Sequence, residues 1–111
     1  MILVTTPAVP GQKITKVLGL VRGNTIRARH LGRDVMAGLK NLVGGEITDY
    51  TKMMAEAREQ ALDRLVEEAR GLGANAVVSL RFATTTMMQG AAEFLTYGTA
   101  VVCEEDPAPS R

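Results

Sequence analysis

The stretch at residues 49–82, DYTKMMAEAREQALDRLVEEARGLGANAVVSLRF, decides the fold. Tyr50, Met53, Met54, Ala57, Ala61, Leu65, Ala69 and Leu72 recur at steps of three and four, which draws one apolar stripe along a helix of 3.6 residues per turn. Charged residues, among them Glu56, Glu59, Asp63, Arg64, Glu67 and Glu68, fill the other positions. Gly71 and Gly73 supply a stop, because glycine accepts the left-handed turn that ends many helices. Thr48 or Asp49 is suited to cap the other end. Beyond the glycines the period changes to two. Ala76, Val78, Leu80 and Phe82 then fall on one side of a strand, and Val77, Ser79 and Arg81 on the other. A helix feeding a strand specifies an α+β domain and names no reaction.

Upstream, residues 31–43 read as a shorter helix, with Leu31, Val35, Leu39 and Leu42 in a stripe and Gly44 and Gly45 at its end. Gly32 and Gly38 each weaken it by about 1 kcal/mol relative to alanine, so packing has to hold it. Residues 14–26 read as a long strand with Ile14, Leu18 and Leu20 on one face and Val17 and Val21 on the other; a strand apolar on both faces is covered on both. Gly19 and Gly23 share the face of Val17 and Val21 and point to a bulge or a close backbone approach. Residues 2–6 form a short β-branched strand, followed by the loop PAVPGQ at 7–12.

Downstream, the threonines after Phe82 extend that strand toward Met87, and Gln89 and Gly90 begin a turn. Residues 93–104 form a last strand with Leu95, Tyr97, Thr99, Val101 and Cys103 on one face. Residues 105–111, EDPAPSR, read as a flexible tail. The expected order is strand–strand–helix–helix–strand–strand. It makes one α+β domain over residues 1–104, a partly antiparallel sheet with two helices on one face.

A chain of 111 residues is one domain by size. No run approaches the roughly 20 apolar residues of a membrane span, and Pro7 and Pro10 interrupt any signal-peptide order. One cysteine excludes an intramolecular disulfide framework, so a cytoplasmic location is expected. The net charge of +1 conceals a split: before Gly44 the bases Lys13, Lys16, Arg22, Arg27, Arg29, Arg33 and Lys40 face only Asp34, and from Gly44 onward acids outnumber bases. The split is compatible with an anion site, with the basic end of one subunit meeting the acidic helix of the next, or with an uneven solvated surface. A near-neutral total and few aromatics argue against nucleic acid.

The long helix, about 22 residues or roughly 33 Å, is as long as a domain whose radius of gyration is near 13 Å. Together with a strand apolar on both faces, this predicts a homo-oligomer, for which a head-to-tail ring is as reasonable as a two-fold dimer.

The densest polar cluster runs through Arg22, Asn24, Arg27, Arg29, His30, Arg33 and Asp34, where a strand feeds a helix. It matches neither a Walker A loop nor a GxGxxG fingerprint, so no cofactor is named. Its two readings are a phosphate or nucleotide site and a structural or intersubunit ion-pair role, the second preferred. His30 and Cys103, the single histidine and the single cysteine, are the candidate metal ligands. A soft-metal site needs several ligands converging, as in CxxC, and the preferred reading of both is ordinary packing or loop positions. Glu46, Asp49 and Glu93 are isolated carboxylates, and no nucleophile–base pair can be read, which leaves an enzyme with the least support.

Thr5-Thr6-Pro7, VLGLVRGNTIRAR at 17–29, GRDVMAGLKNLVGGEITDYT at 32–51, GANAVVSLRF at 73–82 and EFLTYGTAVV at 93–102 together resemble the YbjQ-like family of small bacterial and archaeal proteins, labelled heavy-metal-binding. The resemblance implies an α+β subunit assembling into a ring, typically a pentamer. The paired-cysteine loop of metal-chaperone domains is absent from the sequence, so no metal ligand carries over. The matched polar positions Arg22, Asn24, Arg33, Asp34, Glu46, Tyr50, Gln89 and Tyr97 are the site candidates. The expected function is a cytoplasmic ring that binds a small ligand or ion at subunit boundaries without catalysis. The alternatives are a heavy-metal-binding protein and a structural or partner-binding ring.

Overall fold

A computed structural model of the chain describes residues 1–28, 46–88 and 91–106. Its elements are β1 (Ile2–Leu3), β2 (Gln12–Ala28), α1 (Glu46–Gly71), β3 (Ala76–Met88) and β4 (Ala91–Glu105). The four strands form one mixed sheet in the order β1-β3-β4-β2. β1 runs parallel to β3, and β4 pairs antiparallel with both β3 and β2.

This corrects the expected architecture. Among the described residues the order is strand–strand–helix–strand–strand, with a single helix on the sheet rather than two. The shorter helix expected at 31–43, the turn at Gln89 and Gly90, and residues 107–111 of the tail lie outside the described residues. α1 also begins earlier than expected. Thr48 and Asp49 fall inside its first turn instead of preceding it as a cap. Its C-terminus closes as a Schellman motif: Gly73 takes φ +87°, its N–H donates to Arg70 O at 2.9 Å, and Ala74 N–H donates to Ala69 O at 3.0 Å.

α1 lies across β2 and β4. Ala57, Ala61, Leu65 and Ala69 of its stripe are buried. Leu65 and Ala69 form one core with Val21, Val77, Leu80 and Ala100. The small alanines bring the helix backbone close to the sheet, and Gly23 lies beneath it. A Cβ on Gly23 would collide with Ala61 O and stand 2.5 Å from Leu65 N. On the opposite side of the sheet the N-terminal segment covers a second cluster of Val9, Ala76, Val78, Val101 and Cys103, with Ile2 and Val4 packed against it.

Register shifts in β3 and β2 rearrange the expected strand faces, because an inserted residue reverses the alternation beyond it. In β3 the register shifts between Val78 and Arg81, around Ser79 at φ +54°. Ala76 and Val78 therefore face the N-terminal cover, whereas Val77 and Leu80 face α1. In β2 the register shifts between Ile14 and Lys16 and again between Val17 and Gly19, with Gly19 at φ +117°. Ile14, Val17 and Leu20 end on the side away from α1, opposite Cys103, Val101 and Thr99, while Leu18 and Val21 pack on the helix side. The sheet is long, with 17 residues in β2 and 15 in β4.

Candidate functional site

The face of the sheet away from α1 is built from alternate residues of β2, β4 and β3. Among the described residues it is open beyond the N-terminal cover. The ladders set it out in rows: Leu20 beside Thr99 and Val78, Arg22 beside Tyr97 and Arg81, Asn24 beside Leu95 and Ala83, and Ile26 beside Glu93 and Thr85. Directly opposite residues of an antiparallel pair share a face, which is why three segments distant in sequence meet here. Val17 and Leu20 are about two-thirds exposed, and Ile26 and Tyr97 are exposed as well.

The expected polar cluster is divided by the sheet. Arg22 and Asn24 project from the open face, whereas Arg27 projects from the other side, where its Nη2 donates to Gln60 Oε1 at 2.8 Å. There Arg27 lines an open groove of about 470 Å³ with Ala55, Glu56, Glu59, Gln60 and Asp63. On the open face Asn24 Nδ2 donates to Glu93 Oε2 at 3.0 Å. Tyr97 stands between Arg22 and Arg81. Arg81 Nη1 donates to Thr5 O at 2.8 Å and Leu80 O at 2.9 Å.

β2 is an outer strand of the sheet, and its free edge meets α1. Arg22 N–H donates to Glu68 Oε1 at 2.8 Å, and Arg64 Nη1 donates to Asn24 O at 2.7 Å. Two helix side chains thus occupy backbone groups that would otherwise invite another strand.

Glu46 and Tyr50 stand in the opening turns of α1, remote in sequence from the rows. Arg33, Asp34, Gln89 and His30 lie outside the described residues. Cys103 is buried in the second core cluster. Among the described residues no three histidine, cysteine or acidic side chains stand together as metal ligands. Among them, too, no helix is long and apolar enough to cross a membrane. Arg81, Arg64 and Glu68 are the contributors that the sequence motifs passed over for this face and its edge, and Glu93, read as an isolated carboxylate, gains a partner in Asn24. The register of β2 on β4 brings Glu93 in, and the bulge at Ser79 brings Arg81 to the face.

Among the described residues this is a small α+β domain with one sheet face covered by a helix and much of the other bare. The chain belongs to the family described as "Putative heavy-metal-binding", whose model matches residues 1–104. It is similar to a UPF0145 protein of Clostridioides difficile, 59% identical over 106 residues, covering 96% of this chain and 95% of the relative. It is similar also to a UPF0145 protein of Methanosarcina acetivorans, 57% identical over 101 residues, covering 91% and 95%. A crystal structure of a protein of unknown function from the DUF74 family of Pediococcus pentosaceus superposes with a TM-score of 0.63 at 17% identity, covering 94% of this chain and 98% of the other. At that identity it speaks for the fold alone.

Proposed function

We propose that this chain works as a ring-forming homo-oligomer that binds a small ligand or ion where subunits meet, without catalysing a reaction. The supporting observation is surface. Apolar side chains stay bare on the outer strand of the sheet among the described residues. A subunit in a head-to-tail ring has two interfaces, each covering about 800 Å² of its surface. The exposed Ile14, Val17, Leu20 and Ile26 of β2 supply apolar area for them. Sedimentation at micromolar concentration tests the assembly. A closed oligomer, with five subunits expected, supports the reading, and monomer alone overturns it. Calorimetric titration with metals, nucleotides and common anions tests the ligand half.

The family description favours a second reading, metal binding. Cys103 is its single thiol donor and is 3% exposed, so a soft metal would have to enter the second core cluster to reach it. Elemental analysis of untagged protein decides: stoichiometric metal favours this reading, and sub-stoichiometric metal removes it.

A further inference from the structure

On the open face, Arg22, Tyr97 and Arg81 occupy one row across three adjacent strands. Neighbouring residues of such a row are about 5 Å apart, so the two arginine Cα atoms lie about 10 Å from each other with the phenol between them. Arg22 and Arg81 are exposed, and Tyr97 is 37% exposed. All three present hydrogen-bond donors: two guanidinium forks and a hydroxyl.

Among the described residues neither guanidinium is paired with a carboxylate. Arg81 is pinned through Nη1, but to the carbonyls of Thr5 and Leu80, which neutralise nothing. The Glu68 carboxylate lies beside Arg22 on the helix side and is taken up by its backbone N–H at 2.8 Å, while the Arg22 guanidinium meets no acceptor among the described residues. The flanking rows, Leu20 with Thr99 and Val78, and Asn24 with Leu95 and Ala83, contain no carboxylate. Glu93, one row further, is engaged by Asn24. Two guanidinium groups with no paired carboxylate among the described residues thus sit among exposed apolar side chains. Covering Leu20 and Ile26 would take water from those cations, a costly change unless an anion accompanies them.

We infer that Arg22, Tyr97 and Arg81 form a site for an oxyanion of the phosphate class. Guanidinium forks bind such oxygens in pairs, and the phenol hydroxyl donates a further bond from between them. The span of about 10 Å between the arginine Cα atoms suits a diphosphate, each end held by one fork. The inference rests on the reading above for its place at a subunit boundary, and it names the ligand class there.

The test is calorimetric titration of the full chain with inorganic pyrophosphate at matched ionic strength, with sedimentation of the same samples. Saturable binding is expected in the native chain, at least tenfold weaker in Arg22→Gln and intermediate in Arg22→Lys, which keeps the charge without the fork. Arg81→Gln should weaken binding similarly, but it also releases Thr5, so Arg22→Gln decides. No saturable binding, or equal affinity in Arg22→Gln, overturns the site. A ring that ignores pyrophosphate removes the anion site and leaves assembly standing. A monomer that binds pyrophosphate through Arg22 retains the site and removes the ring.

Discussion

The side chain of Asn75 pairs with the backbone of Cys103 in both directions: Asn75 Nδ2 donates to Cys103 O at 2.8 Å, and Cys103 N–H donates to Asn75 Oδ1 at 2.8 Å. Asn75 N–H also donates to Val101 O at 3.1 Å. One amide side chain thus does for the end of β4 what another stretch of strand would do, just before β3 begins. It closes the ladder beside the buried Val101 and Cys103.

Asn75→Ala removes both bonds and leaves the polar backbone atoms of Cys103 without these partners. A loss of about 2 kcal/mol is expected. Chemical denaturation checks it, and the midpoint should fall while the slope stays the same. An unchanged midpoint would show that water replaces the amide fully.

Gly23 and Gly71 should respond to alanine in opposite directions. At Gly23 the added Cβ meets the backbone of α1, which cannot yield as a side chain can. A loss of about 3 kcal/mol or more is expected, since the helix must lift from the sheet. At Gly71 nothing lies within 4 Å and the residue is helical. Gly71→Ala should therefore raise stability by about 0.5–1 kcal/mol. Thermal melts of the two variants give the comparison, and melting shifts of the same sign would contradict the packing described.

Ser79 at φ +54° holds a conformation that suits glycine. Its N–H donates to Thr6 O at 2.9 Å, which ties the bulge to the N-terminal segment. Ser79→Gly should stabilise the fold by up to about 1 kcal/mol, and Ser79→Val should destabilise it by a similar or larger amount. Denaturation midpoints measure both, and a more stable Ser79→Val would show that the bulge is not as described.

Glu68 and Arg64 shield the free edge of β2. In Glu68→Ala the Arg22 amide should exchange its hydrogen at least tenfold faster, because its acceptor is gone. The double variant with Arg64→Ala should lose about 1–2 kcal/mol and aggregate faster on heating, since an unguarded edge pairs with other strands. Site-resolved hydrogen exchange and light scattering read the two effects. Unaltered protection of Arg22 would mean that some other contact covers the edge.

Much of this molecule was decided locally. The stripe through Ala57, Ala61, Leu65 and Ala69, with Gly73 beyond it, determined a helix, its buried face and its stop, because a period of 3.6 and a left-handed glycine act within a few residues. The family, too, was legible in the matched segments. Tertiary structure decided which strand side chains share a face. Bulges at Ser79 and near Gly19 each reverse an alternation; the glycines pointed to the second, whereas the residue pattern runs unbroken through the first. They send Leu80 under the helix, bring Arg81 beside Tyr97 and Arg22, and the strand alternation leaves Arg27 on the far side. Such pairing joins residues 16 and 75 positions apart, and only the closed hydrogen-bond ladder sets that register.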